Sequence, residues 1–269
     1  MTSLTYTVAD SATMLRRNLK HQLRYPSLTL MLAGFPIVFL LLFVYVFGGQ
    51  LGSSLGGNAA PHGDRDAYLT YIVPGILIIT VASAALGTAI SVATDMTGGI
   101  IDRFRTMAIT RAAVLTGHVV GSLLQTLAVL ALVTAVAVAI GFRSDANALQ
   151  WLAAAAVLLL FAFALIWLSA ALGLAAKSVE TASNTPMFLT LLPFLSSAFV
   201  PTESMPAGLQ QFAEYQPFTP VTQTVRGLLT GGPVGGHAIA AIAWSVGITF
   251  VSYLWALSLY NQRRAADPN

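Results

Sequence analysis

Six stretches of this chain run without a single Asp, Glu, Lys or Arg: residues 28–47, 68–93, 112–141, 151–176, 183–200 and 238–260. Each is close to the roughly 20 residues that a helix needs to cross bilayer hydrocarbon. Only 9% of the chain is charged and 56% is hydrophobic, too apolar a balance for one soluble core, so the solvent for these runs is lipid. Backbone groups in lipid must be satisfied within the segment, which predicts helices rather than open sheets. The expected fold class is therefore all-α: one polytopic transmembrane domain over 1–269 with six transmembrane helices.

The few charges divide unevenly. With the N-terminus inside, Arg16, Arg17, Lys20, Arg24, Arg103, Arg105, Arg111, Lys177, Arg263 and Arg264 fall on the cytoplasmic side. Arg65, Arg143 and Arg226 fall outside. That asymmetry follows the positive-inside rule and predicts a multi-pass cell-membrane protein with both termini cytoplasmic. Leu15, Leu19 and Leu23 share one helical face opposite the N-terminal cations, so residues 10–25 read as an interfacial amphipathic helix.

Several chemistries find no support. The chain has no cysteine, and no cluster of His, Asp and Glu at metal-ligand spacing. No Walker-type loop is present, and no serine has a base set beside it by sequence. The basic residues sit at run ends rather than in a stripe with aromatics, which does not support nucleic-acid binding. Nor does any run carry an ionisable residue at depth, the usual mark of a gradient-driven carrier. The expectation is no catalytic residue, no metal and no cofactor bound by this chain.

Three regions remain as candidates. The stretch Thr94–Arg111 is a polar island between two apolar runs, carrying Asp95, Asp102, Arg103, Arg105 and Arg111. Gly98-Gly99 breaks the preceding helix, and Ile100, Phe104 and Met107 recur at helical spacing, so 98–109 reads as a short amphipathic helix outside the membrane. A solvated connector whose arginines only set orientation fits the spacing as well. The fifth run, 183–200, is interrupted by Pro186 and Pro193 and carries Phe188, Phe194 and Phe199, which suggests a broken helix lining a cavity. Residues 201–232 read as an external helical hairpin. One arm carries Leu209, Phe212 and Ala213, and the other Val221, Val225, Leu228 and Leu229.

The order of these parts resembles the membrane subunit of type-2 ATP-binding-cassette exporters, closest to the daunorubicin-resistance permeases. Asp95-Met-Thr-Gly-Gly-Ile-Ile-Asp-Arg-Phe-Arg-Thr-Met is similar to that family's stretch around the coupling helix. Ala198-Phe-Val-Pro-Thr-Glu-Ser-Met-Pro, Gln216-Pro217-Phe-Thr-Pro and Val225-Arg226-Gly-Leu-Leu are similar to its external hairpin. Two positions depart from the pattern: Gln216, where asparagine is more usual, and Ala108, where proline is common.

The resemblance implies a permease that pairs with a second copy or a paralogue and docks separate ATP-binding-cassette ATPase subunits, which carry the ATP and Mg. The exported cargo it implies is an amphipathic drug, lipid or glycolipid-like molecule. It also implies that the island is the ATPase-coupling surface, with Asp102, Arg103, Phe104, Arg105 and Met107 as contacts. The same likeness, with the kink signals, puts the substrate path beside Pro186, Phe188, Pro193, Phe194 and Phe199. Competing readings are a membrane-embedded lipid-metabolising enzyme, which would need paired carboxylates or histidines at a membrane face, and a non-transporting membrane anchor.

Overall fold

A computed structural model describes residues 26–50, 64–97, 111–176 and 178–265. The expected interfacial helix over 10–25 and the island over 98–109 lie outside the described residues. In chain order the described elements are α1 (Pro26–Leu42), α2 (Asp64–Thr97), α3 (Arg111–Ala139), α4 (Ala148–Ala175), α5 (Val179–Asn184), α6 (Met187–Leu191), α7 (Ala207–Tyr215), α8 (Phe218–Thr230) and α9 (His237–Ala265). A π turn, Phe43–Phe47, extends α1, and 3-10 turns at Leu192–Leu195 and Thr202–Ser204 flank the segment between α6 and α7. Among the described residues there is no strand.

Five helices are long and apolar enough to cross a membrane: α1, α2, α3, α4 and α9. The fifth of the six expected spans, 183–200, is the interrupted helix that its two prolines suggest. Proline explains where it breaks. α5 stops at Asn184, two residues ahead of Pro186, because proline has no N–H to continue the helical ladder, although Thr185 itself keeps helical dihedrals at φ -61° and ψ -46°. α6 restarts immediately after Pro186 and gives way at Leu192 to a tighter turn that takes Pro193 in its first positions.

α2 is the most enclosed of the long helices and α9 the least. Ile72, Ile76, Ile78, Ile79, Ala82 and Ala85 of α2 are buried all round its girth, as expected of a helix surrounded by α1, α3, α4 and α8. Small residues set the closest crossings. A β-carbon on Gly173 of α4 would stand 2.6 Å from the Ala89 carbonyl oxygen of α2, so only glycine admits this approach. On α9 the buried positions are Ala241, Ser245, Ser252 and Ala256, a small-residue stripe laid against α4. Its other faces present Ile239, Val246, Phe250 and Val251, each more than half exposed. Asn147 and Gln150 start α4 with a reciprocal capping box, at 2.9 Å and 2.8 Å.

The broken segment runs alongside α2 and antiparallel to it. Ala182 of α5 packs with Ala93 and Ala176 at one end of α2. Ser197 and Ala198 meet Tyr71 and Gly75 near the other. The rise of α2 between Gly75 and Ala93 is about 27 Å at 1.5 Å per residue.

Candidate functional site

The breaks in the segment 179–204 free backbone carbonyls, and each needs a partner where water is scarce. Side chains from neighbouring elements supply them. Gln216, just ahead of α8, donates both amide hydrogens to the Leu192 and Leu195 carbonyls, the first at 3.3 Å. The Tyr71 hydroxyl of α2 donates to the Ser197 carbonyl at 3.1 Å. Ser196 Oγ donates to the Pro193 carbonyl at 2.6 Å, and the Ser197 amide donates to Thr219 Oγ1 at 3.2 Å.

Arg226 of α8 ties this arrangement together. Its Nη2 donates to the Ser197 carbonyl at 2.8 Å, the Tyr71 carbonyl at 3.2 Å and the Ala198 carbonyl at 3.4 Å. Nε also reaches the Tyr71 carbonyl at 3.4 Å, and Nη1 the Gln223 amide oxygen at 3.2 Å. The guanidinium lies over the Tyr71 ring, 3.9 Å from its centroid, a cation–π contact. Burial pulls the Arg226 pKa below its ordinary value, opposed by the neighbouring Tyr71, yet a guanidinium keeps its proton at any physiological pH. α8 can aim Arg226 so firmly because Val221, Val225 and Leu229 are fully buried one turn apart and Gly231, at φ +71°, ends the helix. Phe218 adds an edge-to-face contact with Phe161 of α4 at 5.1 Å.

The expected path residues fall into two groups. Phe194 and Phe199 stack on each other with centroids 4.9 Å apart and planes 9° apart. They meet a ladder of rings on α1: Phe39 is 5.5 Å from Phe194, and Phe43 is 5.0 Å from Phe199. Phe35 and Phe47 continue that ladder at either end. Pro186 and Pro193 are buried beneath the break. Phe188 stands apart, 47% exposed and beside the exposed Met187 and Leu191. The coupling residues Asp102, Arg103, Phe104, Arg105 and Met107 lie outside the described residues.

Sequence reasoning missed two parts of this site. Phe35, Phe39, Phe43 and Phe47 recur every fourth residue, a spacing that stacks rings along one helical face and was there to be read. Arg226 is the one Lys or Arg between residues 201 and 232, but its carbonyl partners lie 28 to 155 residues away in sequence, and no local signal pairs them.

The described residues form an all-helical bundle of long apolar helices with one interrupted segment, an architecture open to several kinds of membrane protein. Comparison with known sequences identifies which kind, since residues 11–230 match the ABC-2 type transporter family. The chain belongs to that family. The daunorubicin resistance ABC transporter permease protein of Streptomyces coeruleorubidus is 31% identical over 231 residues, which cover 86% of this chain and 78% of that protein. A probable doxorubicin resistance ABC transporter permease protein of Mycobacterium tuberculosis is 25% identical over 215 residues, covering 80% of this chain and 76% of its own. As an ABC-2 family member with five long apolar helices, this chain is a multi-pass membrane protein of the transport-permease type. Among the described residues no group of His, Asp and Glu is assembled that could hold a metal ion.

Proposed function

We propose that this chain is the permease subunit of an ATP-driven exporter that moves an amphipathic, drug-like molecule out of the cell, with ATP hydrolysed by separate partner subunits. The observation that carries this reading is the broken segment 179–200. It travels the length of α2 without forming a continuous helix, and it presents a stacked ring pair to the aromatic ladder of α1. A discontinuous helix beside a partly open aromatic cluster offers an apolar surface for a hydrophobic cargo. The drugs named for the relatives, daunorubicin and doxorubicin, are of this amphipathic class.

In this reading the broken segment is the sixth crossing. Its course of about 27 Å along α2 nearly matches the hydrocarbon thickness of about 30 Å. Six crossings keep both termini in the cytoplasm, agree with the arginine asymmetry, and put α7 and α8 on the external side. The island 98–109, with Asp102, Arg103, Phe104, Arg105 and Met107, is then the cytoplasmic surface that receives the ATPase. A second permease copy or a paralogue completes the complex.

The test is co-expression with a candidate ATPase subunit in a daunorubicin-sensitive host. Lowered accumulation of daunorubicin that depends on both subunits, and on an intact ATP site in the partner, is the expected result. Unchanged accumulation, together with no co-purification of the two subunits, would refute the reading.

A further inference from the structure

We propose that Arg226 is a positioning residue for the transport path: its guanidinium pins the broken segment at Ser197 and Ala198 against the end of α2 and so holds the Phe194–Phe199 stack in place. This deepens the export reading above and rests on it for its functional part. Three features of the geometry point the same way.

The first is the direction of the bonds. Apart from Gln223 on its own helix and the Tyr71 ring it lies over, the groups Arg226 donates to are backbone carbonyls, from Tyr71 on α2 and from Ser197 and Ala198 on the broken segment. A forked, planar donor set is suited to bridging two chain segments at once, which a lysine ammonium on a thinner stem cannot reproduce. The second is the close approach it spans. A β-carbon on Gly75 would lie 2.6 Å from the Ala198 oxygen, so α2 and the segment touch backbone to backbone where Arg226 straddles them. The third is that the contact ends where the aromatic stack begins. Ala198 precedes Phe199, and Phe199 stacks on Phe194 on the far side of the same turn. Freeing Ser197 and Ala198 therefore frees one ring of the pair directly.

The bonds are to neutral carbonyls, so none of them depends on the protonation of a carboxylate or histidine. The holding action is constant rather than pH-gated. Tyr71 contributes a smaller share, because its hydroxyl makes one bond to Ser197 while its ring and carbonyl serve Arg226.

Ser197 supplies a reporter. It is fully buried, its hydroxyl has no hydrogen-bond partner, and the chain has no native cysteine. Ser197→Cys would be placed in the parent, Arg226→Lys, Arg226→Gln and Tyr71→Phe backgrounds, and its reaction with N-ethylmaleimide timed in isolated membranes beside the membrane abundance of each variant. Labelling about tenfold faster or more in both Arg226 variants, with Tyr71→Phe between them and the parent, is expected, since the rate follows the open fraction of the segment. In cells co-expressing the ATPase, the half-saturating daunorubicin concentration for export should rise in Arg226→Lys at normal abundance. Should Arg226→Gln fail to insert, Arg226→Lys and Tyr71→Phe still decide the matter. Equal labelling in all backgrounds overturns the proposal. Faster labelling with unchanged half-saturation also overturns it, because Arg226 would then be a structural anchor only. If the parent exports no daunorubicin while labelling still depends on Arg226, the export reading falls and the holding role stands.

Discussion

Gly75→Ala is the sharpest test of how tightly the broken segment sits on α2. The added methyl would meet the Ala198 carbonyl oxygen at 2.6 Å, its β-carbon at 2.9 Å and its carbonyl carbon at 3.0 Å. Ordinary contact begins at 3.4 Å, which is 0.8 Å beyond the first of these, and backbone cannot rotate away as a side chain can. The segment must retreat, at an overpacking cost of about 1–3 kcal/mol. Retreat also stretches the 2.8 Å bond from Arg226 to Ser197, and a hydrogen bond to a charged group is worth about 1.5–3 kcal/mol. Against this, alanine gains about 1 kcal/mol of helix propensity over glycine. The net expectation is a loss of about 2 kcal/mol, which lowers the unfolding midpoint by about 5 °C for a chain of this size. Gly247→Ala is the matched control: the position is also helical, but an added β-carbon there meets nothing within 4 Å. Thermal unfolding of both purified variants in the same detergent, followed by tryptophan fluorescence at one scan rate, reads the difference. A Gly75→Ala protein as stable as Gly247→Ala would refute the backbone-to-backbone contact.

Gly173→Ala should behave like Gly75→Ala, since its β-carbon would stand 2.6 Å from the Ala89 oxygen, and a native midpoint in the same assay would contradict the α2–α4 crossing. Asn147→Ala removes one half of the α4 capping box and should cost about 1 kcal/mol, seen as a midpoint lowered by about 3 °C or less; no shift would leave the cap without energetic weight. If Phe104 fills a groove on the ATPase, Phe104→Ala should weaken docking by about 2 kcal/mol, roughly thirtyfold, in a pull-down at unchanged membrane abundance. Undiminished co-purification would return the island to a charged connector. Single cysteines at Ser54 and Ala207 should react with an impermeant reagent in intact cells and one at Thr106 should not; labelling at Thr106 would overturn the six-crossing topology.

Hydropathy alone determined that this chain lives in lipid as a helical bundle. An uncharged run of 20-odd residues has one low-energy state in a bilayer, and α1, α2, α3, α4 and α9 grow from such runs. Pro186 and Pro193 mark in the sequence where the segment over 183–200 breaks, but Pro36 and Pro74 stay inside unbroken helices, so proline permits a break without dictating one. The consequences of a break are not local. The carbonyls it frees take whatever donors the fold brings close, and only the tertiary structure decided that these are Gln216, Tyr71 and Arg226. The same holds for Gly75 and Gly173, which read as ordinary glycines in apolar helices until the structure sets another backbone against them. The aromatic ladder of α1 lies between these cases: its period of four is written in the sequence, but its meeting with Phe194 and Phe199 is a matter of packing. Periodicity reports which face of a helix is apolar. It carries no information on which neighbour that face will find, because packing partners are chosen by shape and distance across the whole bundle.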